Sequence, residues 1–77
     1  MKRDSLTERE ETVLQAVVDA YIDSAEPAGS RRIVRQFELG VSPATVRNTM
    51  ADLEAKGFLT HPHTSAGRMP TDLAYRY

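Results

Sequence analysis

Seventy-seven residues without a cysteine make one small domain. Such a chain supports only a modest core and cannot use disulfides, cysteine-ligated zinc or thiol catalysis. The formal net charge of −1 is divided unevenly: residues 1–30 hold three basic and seven acidic groups (net −4), residues 31–77 seven and four (net +3). That asymmetry suggests one side facing a polyanion.

Residues 1–6 read as a flexible N-terminal lead, with no secretory signal; no apolar run is long enough to span a membrane. A cytoplasmic, soluble protein is expected. Thr7-Glu8-Arg9-Glu10 has capping-box spacing and starts a helix. Leu14, Val17, Val18, Tyr21 and Ala25 form its apolar stripe, with Val13 and Ile22 on the flanks. It ends near Ser24, before Glu26-Pro27. Its outer face is acidic and unsuited to a phosphate backbone.

Residues 26–29 form an extended link or very short strand. Ser30 is expected to cap a second helix, Arg31 to about Phe37. Ile33, Val34 and Phe37 face inward, and Arg31, Arg32 and Arg35 outward. Free N–H groups, the helix dipole and two arginines make this N-terminus suited to an anion. Glu38-Leu39-Gly40-Val41 is a tight connection in which Gly40 takes positive φ.

The third helix has the best-defined ends. Ser42 suits its N-cap and Pro43 its first position, and Val41 and Val46 are spaced for a hydrophobic staple. Gly57 fits a Schellman ending with Phe58 folded back on Leu53. Val46, Met50 and Leu53 face inward. Ala44, Asn48, Ala51 and Ala55 lie opposite, flanked by Thr45 and Arg47. That face is small and flat, and Asn, Arg, Thr and Ala are side chains that read base edges and thymine methyls in a major groove. A short helix, a glycine turn and a capped helix make a helix-turn-helix.

Beyond Gly57 the pattern becomes extended. Phe58 to His61 reads as a strand, 63–67 as a loop and Arg68-Met69-Pro70 as the return, with both prolines confining the hairpin to edges. A ribbon after a recognition helix is a wing. Arg68 is expected at or near its tip, beside Ser65 and Gly67, where it reaches a phosphate or a narrow minor groove. Thr71-Asp72 opens another helix. His61-Pro62-His63 places two imidazoles two apart, but zinc needs further ligands. No metal or other cofactor is expected. There is no phosphate loop, nucleophile elbow or acid/base pair, so no enzyme is expected.

Three segments, Y-I-D-S-A-E-P-A-G-S-R (21–31), S-P-A-T-V-R-N-T-M-A-D-L-E-A-K-G-F-L (42–59) and P-H-T-S-A-G-R-M-P-T-D (62–72), occur in order. Together they closely resemble the N-terminal domain of the HrcA family of bacterial heat-inducible transcription repressors, over about residues 6–77. The middle segment recurs in many winged-helix regulators; the last is the more specific. Ala25 and Ala28 stand where Gly and Val are common, and Leu73-Ala74 where Lys-Gly is commoner. The resemblance implies repression of chaperone genes through an inverted-repeat operator. It also implies a C-terminal GAF-like region that supports homodimers, and modulation by a GroEL-type chaperonin.

The expectation is therefore a mainly α winged helix-turn-helix with a small β-hairpin. Residues 7–70 form the DNA-binding domain, with a recognition helix at 42–56 and a wing at 58–70; 71–77 begin a linking helix towards a C-terminal domain absent from this chain. Expected DNA contacts are Ala44, Thr45, Arg47 and Asn48 in the groove, Ser30, Arg31, Arg32 and Ser42 on phosphates, and His63, Ser65 and Arg68 from the wing. The alternative is a winged-helix domain whose alanine-rich face binds another protein.

Overall fold

In a computed structural model, which describes residues 6–62 and 67–77, the first helix, α1, spans Glu8–Ser24. Its capping box is complete: the Glu10 N–H donates to Thr7 Oγ1 (3.1 Å) and the Thr7 N–H to Glu10 Oε1 (2.9 Å). Leu14 and Val17 are buried as expected, and Val18 and Tyr21 partly so. Val13, placed on the flank by periodicity, is fully inside, and Ile22 is 68% exposed. The buried face is wider on the Val13 side because α1 packs against four other elements, the second and third helices, the second hairpin strand and the C-terminal helix.

Ala25 is exposed rather than part of the stripe. It ends α1 in the left-handed conformation (φ 59°, ψ 28°), with its N–H bonded to the Tyr21 carbonyl at 2.6 Å. A Cβ is strained there and glycine is not. Ala25→Gly is expected to raise unfolding free energy by about 0.5–1 kcal/mol in urea titration. Loss of stability in that variant rules out the strained cap.

Helix α2 is Ser30–Phe37. Its N-cap is Gly29 (φ −88°, ψ 163°), not Ser30, and no side chain caps it. The cause is non-local. Ala28 and Arg68 exchange backbone hydrogen bonds (2.8 and 2.9 Å) in an antiparallel bridge, so the chain is extended until Gly29 and turns helical one residue early. Glu38 (φ 51°) and Gly40 (φ 74°) then make the turn.

Helix α3, Pro43–Ala55, has the expected ends. Ser42 Oγ accepts from the Thr45 N–H at 3.2 Å, and Pro43 occupies the first turn. At the other end the Phe58 N–H reaches the Leu53 carbonyl (2.9 Å) and the Gly57 N–H that of Glu54 (3.0 Å), with Gly57 at φ 90°. This is the two-bond Schellman pattern.

Strand β1 (Leu59–Thr60) pairs antiparallel with β2 (Met69–Pro70), Leu59 opposite Pro70 and Thr60 opposite Met69. The Ala28–Arg68 bridge adds a third short partner. Thr71 turns the chain into α4 (Asp72–Arg76): its hydroxyl donates to the Gly57 carbonyl (2.6 Å) and its N–H to that of Phe58 (3.0 Å). One core joins these parts, with Val13 and Val17 of α1, Ile33 of α2, Val46, Met50 and Leu53 of α3, and Phe58 and Leu59.

Two long-range polar ties close the structure. Lys56 Nζ, just after α3, meets both oxygens of the buried Glu10 (2.9 and 3.1 Å). The Thr7 backbone N–H, then Lys56, hold the Glu10 carboxyl below the usual carboxylate range despite its burial. The Tyr77 hydroxyl donates to Glu11 (2.7 Å), which raises the phenol's pKa, while its ring stands edge-on to Phe58 at 5.4 Å.

Candidate nucleic-acid interface

The two ends of α3 set which way its faces point. Val46, Thr49, Met50 and Leu53 are buried. Thr49, absent from the expected inner stripe, fits there because its hydroxyl donates to the Thr45 carbonyl at 3.0 Å. Ala44, Arg47, Asn48, Ala51 and Ala55 are exposed and Thr45 is half-buried. Asp52 is also exposed, one turn beyond Asn48. A carboxylate there repels phosphate, so the polyanion-compatible part of the face is its N-terminal half.

Ser42 sits at the head of that half. Its oxygen caps the helix and lies 3.1 Å from Thr45 Oγ1. The two hydroxyls can share a donor, leaving the other for an incoming acceptor. Across the turn, α2 presents Arg31 and Arg35 to solvent. Arg32 is half-buried, its Nε on Gln36 Oε1 at 3.3 Å, and Ser30 is half-buried in the first turn. With no capping side chain, the α2 N-terminus keeps backbone donors available to an anion. Of the residues expected on α2 and α3, Arg31, Ser42, Ala44, Arg47 and Asn48 are exposed and Ser30, Arg32 and Thr45 half-buried.

The hairpin differs from expectation at Arg68. At the loop end of the ladder, Arg68 pairs through its backbone with Ala28. Its guanidinium Nε donates to Glu54 Oε1 at 2.9 Å, and its side chain is only 17% exposed. Sequence spacing puts it near a turn, and the register agrees, since Arg68 follows the Thr60–Met69 pair on the loop side; what spacing does not show is that its guanidinium turns back onto α3. His63 and Ser65 lie outside the described residues.

Glu54 was not singled out by sequence reasoning. Its second oxygen lies 2.8 Å from His61 Nδ1. Burial alone raises its carboxyl; the His61 hydrogen bond and the Arg68 and His61 charges outweigh that and hold it below the usual carboxylate range. Among the described residues no group of three or more His, Cys, Asp or Glu side chains is arranged to hold a metal. No helix among them is long and apolar enough to cross a membrane.

A family model described as the winged helix-turn-helix transcription repressor HrcA, DNA-binding, matches residues 5–77. The chain belongs to the HrcA DNA-binding family. It is similar to the heat-inducible transcription repressor HrcA of Acetivibrio thermocellus, 58% identical over 72 residues, covering 94% of this chain and 20% of that protein. The HrcA of Desulforamulus reducens is 56% identical over 77 residues, all of this chain and 21% of the relative. The chain therefore spans about a fifth of the length of the HrcA proteins it matches. A crystal structure of a hypothetical protein at 2.2 Å resolution superposes with a TM-score of 0.89 at 42% identity, over 94% of this chain and 22% of that one. The HrcA family is one of transcription repressors, not of enzymes.

Proposed function

We propose that this domain binds double-stranded DNA with the N-terminal half of α3 in the major groove. The observation that carries the reading is that Ala44, Arg47 and Asn48 all face solvent in the capped N-terminal half of α3, while the helix before it, α2, also exposes Arg31 and Arg35. Asn48 and Arg47 supply the base-edge contacts, and Ala44 with the Thr45 methyl lies against thymine. Ser30, Arg31, Arg32 and Ser42 hold phosphates and set register. His63 and Ser65 extend the contact from the wing, and Arg68 supports it from the loop end of the hairpin ladder.

Within a protein of the relatives' length this domain would repress heat-shock and chaperone genes in the cytoplasm; the relatives' name, heat-inducible transcription repressor, supports the repression. Two copies at fixed spacing would read an inverted repeat, and a chaperonin of the GroEL type would modulate the repressor. A single domain then binds one half-site weakly.

Point variants separate the two kinds of contact. Asn48→Ala is expected to cost about 1–3 kcal/mol of discrimination between the preferred duplex and a scrambled one. Arg31→Ala is expected to weaken all duplexes alike and to lower the salt slope of binding by about one. If neither variant changes binding across a salt series, the docking mode is wrong, and a protein-binding use of the α3 face takes its place.

A further inference from the structure

The carboxylate of Glu54 takes one partner from each limb of the hairpin. His61 lies just past β1, with Nδ1 at 2.8 Å; Arg68 lies just before β2, with Nε at 2.9 Å. Glu54 itself is in the last turn of α3, so one side chain ties the proposed recognition helix to both limbs at once. The ladder between the limbs is short. Each strand has two residues, and Pro70 has no N–H to contribute. Two rungs do little to fix the angle of a hairpin against a helix, and the ion pairs supply what they lack.

We propose that Glu54 is a positioning residue for DNA binding: by gripping His61 and Arg68 it sets the hairpin's angle to α3, so that wing and recognition helix meet one duplex together. The inference rests on the DNA-binding reading above. It also gives Arg68 a different task from a direct phosphate contact. If Arg68 reached phosphate itself, Glu54 would compete with the DNA for it, and removing the carboxylate would tighten binding. General electrostatics points the same way, since deleting a negative charge from a DNA-binding face strengthens attraction to phosphate. Weaker binding on loss of the Glu54 charge is therefore a geometric effect.

The test uses this 77-residue chain and the duplex it enriches from a random-sequence pool. Glu54→Gln, Arg68→Gln, the double variant and Asn48→Ala are titrated against that duplex at moderate salt. Urea unfolding of each keeps the comparison at temperatures where all are folded. Glu54→Gln is expected to weaken binding about fivefold. Arg68→Gln and the double variant are expected to weaken it equally, because residues acting as one unit are non-additive. If Asn48→Ala weakens binding but Glu54→Gln leaves it unchanged or tighter, the clamp is wrong and the DNA reading stands. If the two single losses add in the double variant, Glu54 does not act through Arg68 and the clamp is again wrong. If the chain enriches no duplex, or Asn48→Ala binds as the unaltered chain does, the DNA reading fails and the clamp with it.

Discussion

Phe58→Ala is expected to cost about 3–5 kcal/mol of unfolding free energy, the range for removing a fully buried ring. Phe58 is 0% exposed and sits where three devices meet. Its N–H closes the Schellman ending of α3 on Leu53, its carbonyl receives the Thr71 N–H that turns the chain into α4, and its ring meets the edge of Tyr77. A domain of this length has about 4–12 kcal/mol in total, so the loss leaves a marginal fold. Phe58→Leu keeps most of the volume and is expected to cost less than about 1.5 kcal/mol. Urea titration of both variants decides the matter. A cost below about 1 kcal/mol for the alanine variant would mean that the ring is not a keystone, because the surroundings collapse to fill its place.

What could be read from the sequence is what is decided within four residues. The capping box at Thr7 and Glu10, the Ser42 cap with Pro43, the positive φ at Gly40 and the Schellman glycine at Gly57 are all closed by atoms close along the chain. Periodicity likewise separated the inner and outer faces of α3, and with them Arg47 and Asn48. It could not say what stands opposite a face. Glu54 with Arg68, Lys56 with Glu10, and Tyr77 with Glu11 are 14, 46 and 66 residues apart, and no local rule pairs them. Two errors share that origin. Ser30 has the right side chain for a cap, but the Ala28–Arg68 bridge moves the N-cap to Gly29 and makes Ser30 the first helical residue. Arg68 does stand at the loop end of the hairpin, but its guanidinium is turned onto Glu54, 14 residues away in the chain. Ala25 departs for a different reason: an apolar residue on the stripe packs only while the helix continues, and the helix ends there in a left-handed conformation.

Gly67→Ala is the substitution that bears most directly on that bridge. Gly67 is buried, and a Cβ added to it would lie 2.8 Å from the Pro27 carbonyl carbon, 2.9 Å from its oxygen and 3.0 Å from the Ala28 nitrogen. All three are backbone atoms, and the Ala28–Arg68 hydrogen bonds hold that backbone in place. Nothing can rotate aside, so either the link between α1 and α2 or the hairpin must move. The expected cost is about 1–3 kcal/mol, a fall in melting temperature of roughly 4–20 °C for a domain of this size. Strain is relieved most readily by giving up the bridge, because each of its strands is short and the α1–α3 core does not depend on it. Amide exchange at Ala28 and Arg68 should then accelerate well beyond that of the Val17 or Leu53 amides in the helical core. DNA affinity should fall as well, since the bridge, like the Glu54 clamp, holds the hairpin where its loop leaves the ladder. A melting temperature within about 2 °C of the unaltered domain, with both bridge amides still protected, would show that the close approach at Gly67 is not a constraint.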